Sequence, residues 1–109
     1  MNVQISPENW GEFADLFSQK NMKRLVSIEI VNQTMGDEPL VERLPLITLD
    51  FDPSADQAFL ITVAEEGRTF THVVDAPEEV DLRVDESGKT LALSIQKKGK
   101  DQMIMRFED

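Results

Sequence analysis

Residues 6–21 read SPENWGEFADLFSQKN, and this stretch predicts one amphipathic helix. Its apolar side chains recur at the three- and four-residue spacing of a single helical face. They are Trp10, Phe13, Ala14 and Phe17. The rest of the chain reads as short strands with one apolar face, and such a face needs a cover. We therefore expect the helix to lie across the apolar side of a sheet.

The two ends of this helix carry different signals. Ser6 is a typical N-cap, and Pro7 fits the first helical position, where the N–H that proline lacks has no helical partner. Ile5 and Trp10 have the spacing of a hydrophobic staple. We expect the helix to fray near Asn21, where nearby basic residues suit its negative end.

The remaining residues alternate between apolar and polar side chains, which is typical of antiparallel strands with one dry and one wet face. Residues 34–42 are predicted as a loop because Gly36 and Pro39 interrupt them, with a short edge segment as the alternative for the end of this loop. The sequence thus predicts an α+β fold in one domain, residues 1–109. It consists of one N-terminal helix packed on a strongly bent antiparallel sheet or small barrel of about six to seven strands. The predicted strands are residues 23–32, 44–52, 57–64, 69–75, 79–85, 90–97 and 101–107.

Composition restricts the class of protein. The chain has 21 acidic and 11 basic residues, a formal net charge of −10, and no cysteine. The charge repels nucleic acid and anionic membranes, and the lack of cysteine excludes disulfides, thiol nucleophiles and thiolate metal sites. No apolar run reaches the length of a membrane span, and the first ten residues lack the pattern of a signal peptide. We expect a cytoplasmic protein without a membrane partner.

Basic residues concentrate late in the chain. Residues 37–86 hold fourteen acidic and three basic side chains, whereas residues 87–107 hold five basic and one acidic. Lysines that protect strand edges explain this distribution, and a basic end that docks an acidic partner is the alternative. A small nucleic-acid-binding barrel is a further alternative. It would join Lys97, Lys98 and Lys100 to Lys20, Lys23 and Arg24.

One acidic segment resembles the start of a calcium-binding loop. Asp50, Asp52 and Asp56 place carboxylates near the end of a predicted strand. Ala55 stands where such a loop needs glycine, and Ile61 stands where it needs glutamate. Ordinary turn chemistry accounts for this segment, so we expect no metal. Because glycine-rich phosphate loops are also absent, we expect no cofactor.

His72 is the only histidine, and its predicted strand face also carries Phe70 and Val74. It could act as a general base if Asp75 or Glu66 oriented its ring. No motif positions a nucleophile beside it, and a histidine in an apolar row is usually packed. The sequence therefore leaves a small enzyme or ligand-processing domain that uses His72 as an alternative.

The last predicted strand suggests self-association. Met103 and Met105 alternate with Ile104, which would then face outward. An exposed apolar strand at the end of a sheet is a surface for pairing with another chain. These three residues are the candidate interaction site, and a homodimer is the partner that they predict.

Several short motifs occur in order along nearly the whole chain. They are Ile5, Trp10, Phe13, Phe17 and Ser18; Leu25, Val26, Ile28 and Glu29; Gly36 ahead of Leu44, Pro45 and Leu46; Thr71, His72, Val74, Pro77 and Val80; and Leu93, Ile95, Gly99, Arg106 and Phe107. With these motifs the chain resembles a small uncharacterised bacterial family, the domain-of-unknown-function family numbered five thousand three hundred and thirty-five. The resemblance implies no established activity, and it marks His72, Trp10 and residues 44–46 as positions to examine first.

No motif for catalysis or ligand binding stands out from this sequence. The function that it favours is a small non-enzymatic cytoplasmic module for binding or protein interaction. Its surface would be an exposed strand edge or the acidic residues 75–86, and its protein partner is unknown.

Overall fold

The computed structural model describes residues 1–32, 34–54, 57–99 and 101–109. One α-helix, α1 (Trp10–Asn21), follows a single turn of 3-10 helix at Pro7–Asn9. None of the helices in the described ranges is long and apolar enough to cross a bilayer. The strands are β1 (Asn2–Ile5), β2 (Leu25–Asn32), β3 (Gly36–Asp52), β4 (Ala58–Glu65), β5 (Arg68–Asp75), β6 (Pro77–Val84), β7 (Thr90–Lys97) and β8 (Gln102–Phe107).

The strands form one antiparallel sheet in the order β1-β6-β7-β8-β2-β3-β4-β5. The predicted combination of an N-terminal helix and an antiparallel sheet is confirmed. The sheet has eight strands rather than six or seven, and it is open, with β1 and β5 at its two ends. The prediction missed β1 because four residues ahead of a helix carry too little alternation to indicate a strand.

Strand β3 is longer than predicted, and it joins the two parts of the sheet. Its residues 36–45 pair with β2, and its residues 46–52 pair with β4. The prediction of a loop at residues 34–42 is therefore wrong for the residues from Gly36 onward, and the short edge segment expected as the alternative at its end is part of the longer strand β3. Pro39 is tolerated because this part of β3 pairs on one side with β2, and proline can occupy a strand that has an unpaired edge.

The sheet bends back on itself, which brings distant strands together. Ala76, with a φ of 46°, is the single residue between β5 and β6. Next to this corner, Asp75 forms a 2.7 Å ion pair with Lys97, and the Lys98 N–H donates to the Ala76 carbonyl at 3.0 Å. Strand β5 is thus held near β7, although several strands separate them in the order of the sheet.

The helix and the inner rows of the strands share one hydrophobic core. Trp10 is 2% exposed, and its ring centroid lies 5.6 Å from that of Phe51 and 5.5 Å from that of Phe59. The Trp10 Nε1–H donates to the carbonyl of Ile5 at 3.0 Å, so Trp10 is joined to Ile5 through the Ile5 backbone. The Ser6 carbonyl accepts a hydrogen bond from the Asn9 N–H. The Ser6 side chain makes no capping hydrogen bond.

Ser18 fastens the helix to β3. Its hydroxyl accepts a hydrogen bond from the Leu49 N–H at 2.8 Å and donates to the Leu49 carbonyl at 2.9 Å. Leu49 pairs with β4 on the other side of the strand. The hydroxyl therefore satisfies backbone groups on the edge of β3 that faces the helix.

We expect Ser18→Ala to lower the free energy of unfolding by about 1–2 kcal/mol, because it leaves the N–H and carbonyl of Leu49 without this partner. Urea denaturation followed by circular dichroism measures the change. Ser18→Thr keeps the hydroxyl and serves as the control. A loss in Ser18→Ala no larger than that in Ser18→Thr would contradict the role given to the hydroxyl.

Candidate functional site

Two strand edges without a neighbouring strand border one groove. Strand β5 is the last strand of the sheet, and within the described residues positions 36–44 of β3 pair with β2 alone. The groove between these edges, here called the β5 groove, has a volume of about 390 Å³. It is lined by Leu40, Val41, Glu42, Leu44, Val63, Glu65, Phe70 and His72.

The inner row of β5 leads from the core into the β5 groove. Phe70, His72 and Val74 stand opposite Val63, Ile61 and Phe59, which is the pairing of rows that the alternation predicts. Val74 is 3% exposed, His72 is half-buried and Phe70 is 41% exposed. Exposure therefore increases along the row from Val74 to Phe70.

The carboxylates predicted to orient His72 lie elsewhere. Asp75 is three residues away on the strand, so its side chain points to the opposite face. It pairs with Lys97, and this hydrogen bond and charge lower the pKa of the Asp75 carboxyl below its usual value. Glu66 lies in the turn between β4 and β5 and is not among the groove residues. The carboxylates that share the groove with His72 are Glu42 and Glu65.

The lining of the β5 groove offers both apolar surface and charge to a ligand. It combines apolar side chains, one imidazole and two carboxylates, and the described lining includes no hydroxyl or thiol. Covalent catalysis by a hydroxyl or a thiol would need such a group beside a base. The arrangement can instead bury apolar side chains of a ligand and pair with positive charge at its rim.

The other face of β5 is also accessible. Val73 is 60% exposed, and the Thr71 hydroxyl lies 2.9 Å from that of Thr62 on the neighbouring strand. Between Arg68 and Asp75 the strand reads TFTHVV, without lysine, glutamate, aspartate or proline. Natural edge strands usually carry such residues as protection against pairing with other chains. The other end strand, β1, is only four residues long, whereas β5 has eight.

The residues predicted for self-association do not form an exposed edge. Strand β8 lies between β7 and β2, and Met103 and Met105 are 1% and 0% exposed in the core. Ile104 points to the outer face, half-buried between Ser94 and Glu29. The prediction of an exposed last strand is wrong because β8 pairs with β2 on the side that does not contact β7.

Two of the candidate cation residues, Asp50 and Asp52, accept local hydrogen bonds. The Thr48 hydroxyl donates to Asp50 at 3.0 Å. The Ser54 N–H donates to Asp52 at 2.9 Å and lowers the pKa of the Asp52 carboxyl. Asp56 lies outside the described residues. In the described part of the chain, no three histidine, aspartate or glutamate residues are grouped so that they could hold a metal ion.

The basic residues predicted to cluster lie at opposite ends of β7. Arg24 donates to the carbonyl of Thr90, and Lys20 lines the same surface. Lys97 is the last residue of that strand, about 23 Å away at the usual rise per residue. Lys100 lies outside the described residues. The prediction that Lys97 lies near Lys20 and Arg24 is therefore wrong.

The fold and the β5 groove together define a class of small helix-covered antiparallel sheet proteins with one long open edge. Over residues 1–109 the sequence matches the family of unknown function DUF5335. The chain belongs to this family, as its ordered motifs predicted. It is similar to an uncharacterised protein of Aquifex aeolicus (strain VF5), with 30% identity over 104 residues that cover 95% of this chain and 89% of the relative. No solved structure matches the chain.

Proposed function

We propose that this chain is a non-enzymatic protein-interaction module that binds an extended segment of another polypeptide along β5. The observation that carries this proposal is the eight-residue end strand without charged residues between Arg68 and Asp75. A bound segment would add a strand to the sheet through main-chain hydrogen bonds. Alternate side chains of that segment would enter the β5 groove and contact Phe70 and Leu40.

The exposure of the side chains around this edge supports the proposal. Phe70, Leu40 and Val73 are 41%, 41% and 60% exposed, so a bound strand would remove apolar surface from water on both faces of the sheet. Residues 1–109 would act as a single domain. A cytoplasmic location agrees with the absence of cysteine. A homodimer is the alternative in which a second copy supplies the added strand.

Peptide selection on the intact chain tests the proposed strand addition. Peptides from a random display library should protect the backbone amides of β5 from hydrogen exchange. Phe70→Lys and Phe70→Glu should each weaken their binding by at least about tenfold, because a charge of either sign in the added-strand contact is poorly tolerated. Isothermal titration calorimetry measures the affinities, and thermal unfolding checks that each variant is folded.

Leu16 on the helix supplies the matched control. Its side chain is 47% exposed, which is similar to the 41% of Phe70. It lies outside the β5 groove. Leu16→Lys and Leu16→Glu should leave the affinities of the selected peptides unchanged. If a Phe70 variant does not fold, Val73→Lys replaces it on the more exposed face. Peptides that bind the Phe70 and Leu16 variants equally well would refute strand addition at β5.

A further inference from the structure

The two edges that border the β5 groove carry more negative than positive charge. The charged side chains on and beside these edges are all exposed. The carboxylates on these edges are Asp37, Glu38, Glu42 and Asp75, and Glu65 and Glu66 adjoin them at the end of β4 and in the following turn. The guanidinium groups are Arg43 and Arg68. Glu42 and Glu65 are closest to the proposed contact, because both line the groove. A segment that passes between them meets carboxylates on the β3 side and the β4 side.

The same charges disfavour a second copy of the chain as the occupant. Antiparallel pairing of β5 with itself places the start of each strand beside the end of the other. The start of β5 follows Glu65 and Glu66, and its end carries Asp75 with Glu78 close behind. The pairing would place Arg68 of one copy beside Asp75 of the other, but each end of the paired strands would still carry net negative charge. A second copy therefore offers less charge complementarity to this edge than a basic segment does.

We propose that the partner of the β5 groove is a basic extended peptide segment, with lysine or arginine side chains that pair with Glu42 and Glu65. This inference rests on the proposed strand addition and specifies its partner. Small apolar side chains of the segment would share the groove-facing positions with the basic ones, since the groove also presents Phe70 and Leu40. The carboxylates would steer the segment to the edge, and the apolar contacts and main-chain hydrogen bonds would hold it there.

Two synthetic peptides of eight residues, the length of β5, test this inference. Both are built on alternating valine and threonine. One peptide has lysine at its ends and its centre, and the other has glutamate at the same positions. Fluorescence anisotropy at low salt should show that the lysine peptide binds at least about tenfold more tightly, and added salt should reduce the difference. A chain with Glu42→Gln and Glu65→Gln together should lose about fivefold of its affinity for the lysine peptide.

A matched control separates local charge from total charge. Glu8→Gln together with Glu12→Gln removes the same charge from exposed positions outside the β5 groove and should leave the affinity unchanged. If both peptides bind equally well, and if Phe70→Lys and Phe70→Glu abolish that binding, the proposal of a basic partner is overturned. Strand addition at β5 would still be supported. Binding of neither peptide would also overturn the basic partner, and the library selection then decides strand addition separately. Analytical ultracentrifugation supplies a further outcome. If the chain sediments as a dimer and Phe70→Lys dissociates that dimer, the basic partner is also overturned, because a second copy then occupies the β5 edge.

Discussion

Trp10→Ala should lower the free energy of unfolding by about 3–5 kcal/mol, the cost typical of removing a large aromatic side chain from a core. Trp10 is 2% exposed and contacts both Phe51 and Phe59. Its indole N–H also donates to the Ile5 carbonyl, so the substitution removes a cross-link between the start of the helix and β1. The loss is a large part of the total stability expected for a domain of this size.

Chemical denaturation of the wild-type chain and the variant measures this difference. Leu16→Ala is the control, because Leu16 lies on the same helix and is 47% exposed, so its loss should change the unfolding free energy by at most about 0.5 kcal/mol. Trp10→Phe keeps an aromatic ring but lacks the N–H, and its cost should fall between the two. A Trp10→Ala variant as stable as Leu16→Ala would show that the helix does not close the core.

Local patterns predicted the faces of the elements well. The inner row of β4 consists of Phe59, Ile61 and Val63, and that row faces the row of Phe70 and His72, as the alternation indicates. Strands β4 and β5 are joined by a short turn, so their pairing follows from proximity in the chain. Residue spacing on each strand was therefore sufficient to place His72 beside apolar side chains.

The order of the strands could not be predicted in the same way. Strand β8 pairs with β2, which lies about 75 residues earlier in the chain, and no local signal encodes that pairing. Without it, the last strand reads as an edge, and Ile104 reads as an exposed contact. The true long edge, β5, lies in the middle of the sequence. Its signal was the absence of charged residues from 69 to 74, which has meaning only once the strand is known to be terminal.

Only the part of the candidate site that is local in the chain could be predicted from the sequence. His72 and Phe70 lie close together in the chain, so their shared face was predictable. Leu40 and Glu42, which complete the β5 groove, belong to the end of a predicted loop for which a short edge segment was only the alternative. That segment extends as a strand because β2 pairs with it from Gly36 onward, and tertiary pairing outweighs the loop preference of its glycine and proline.

The burial of Asn21 could not be predicted from the pattern of apolar and polar residues. The sequence predicts fraying at this position, whereas the side chain is 2% exposed at the end of α1. Its amide N–H groups donate to the Phe17 carbonyl at 3.0 Å and to the Thr90 hydroxyl at 3.4 Å. Its oxygen accepts a hydrogen bond from Arg24 at 2.8 Å. The end of the helix is thus joined to both β7 and the start of β2.

We expect Asn21→Ala to lower the free energy of unfolding by about 2–3 kcal/mol, because it leaves the Phe17 carbonyl and the Thr90 hydroxyl buried without this donor. Urea denaturation measures the loss. Asn9→Ala, at an exposed position before the other end of the helix, is the control and should cost much less. If Asn21→Ala and Asn9→Ala were equally stable, the end of the helix would be as loose as the sequence suggests. A large loss confined to Asn21→Ala would instead show that these hydrogen bonds fix the helix against the sheet.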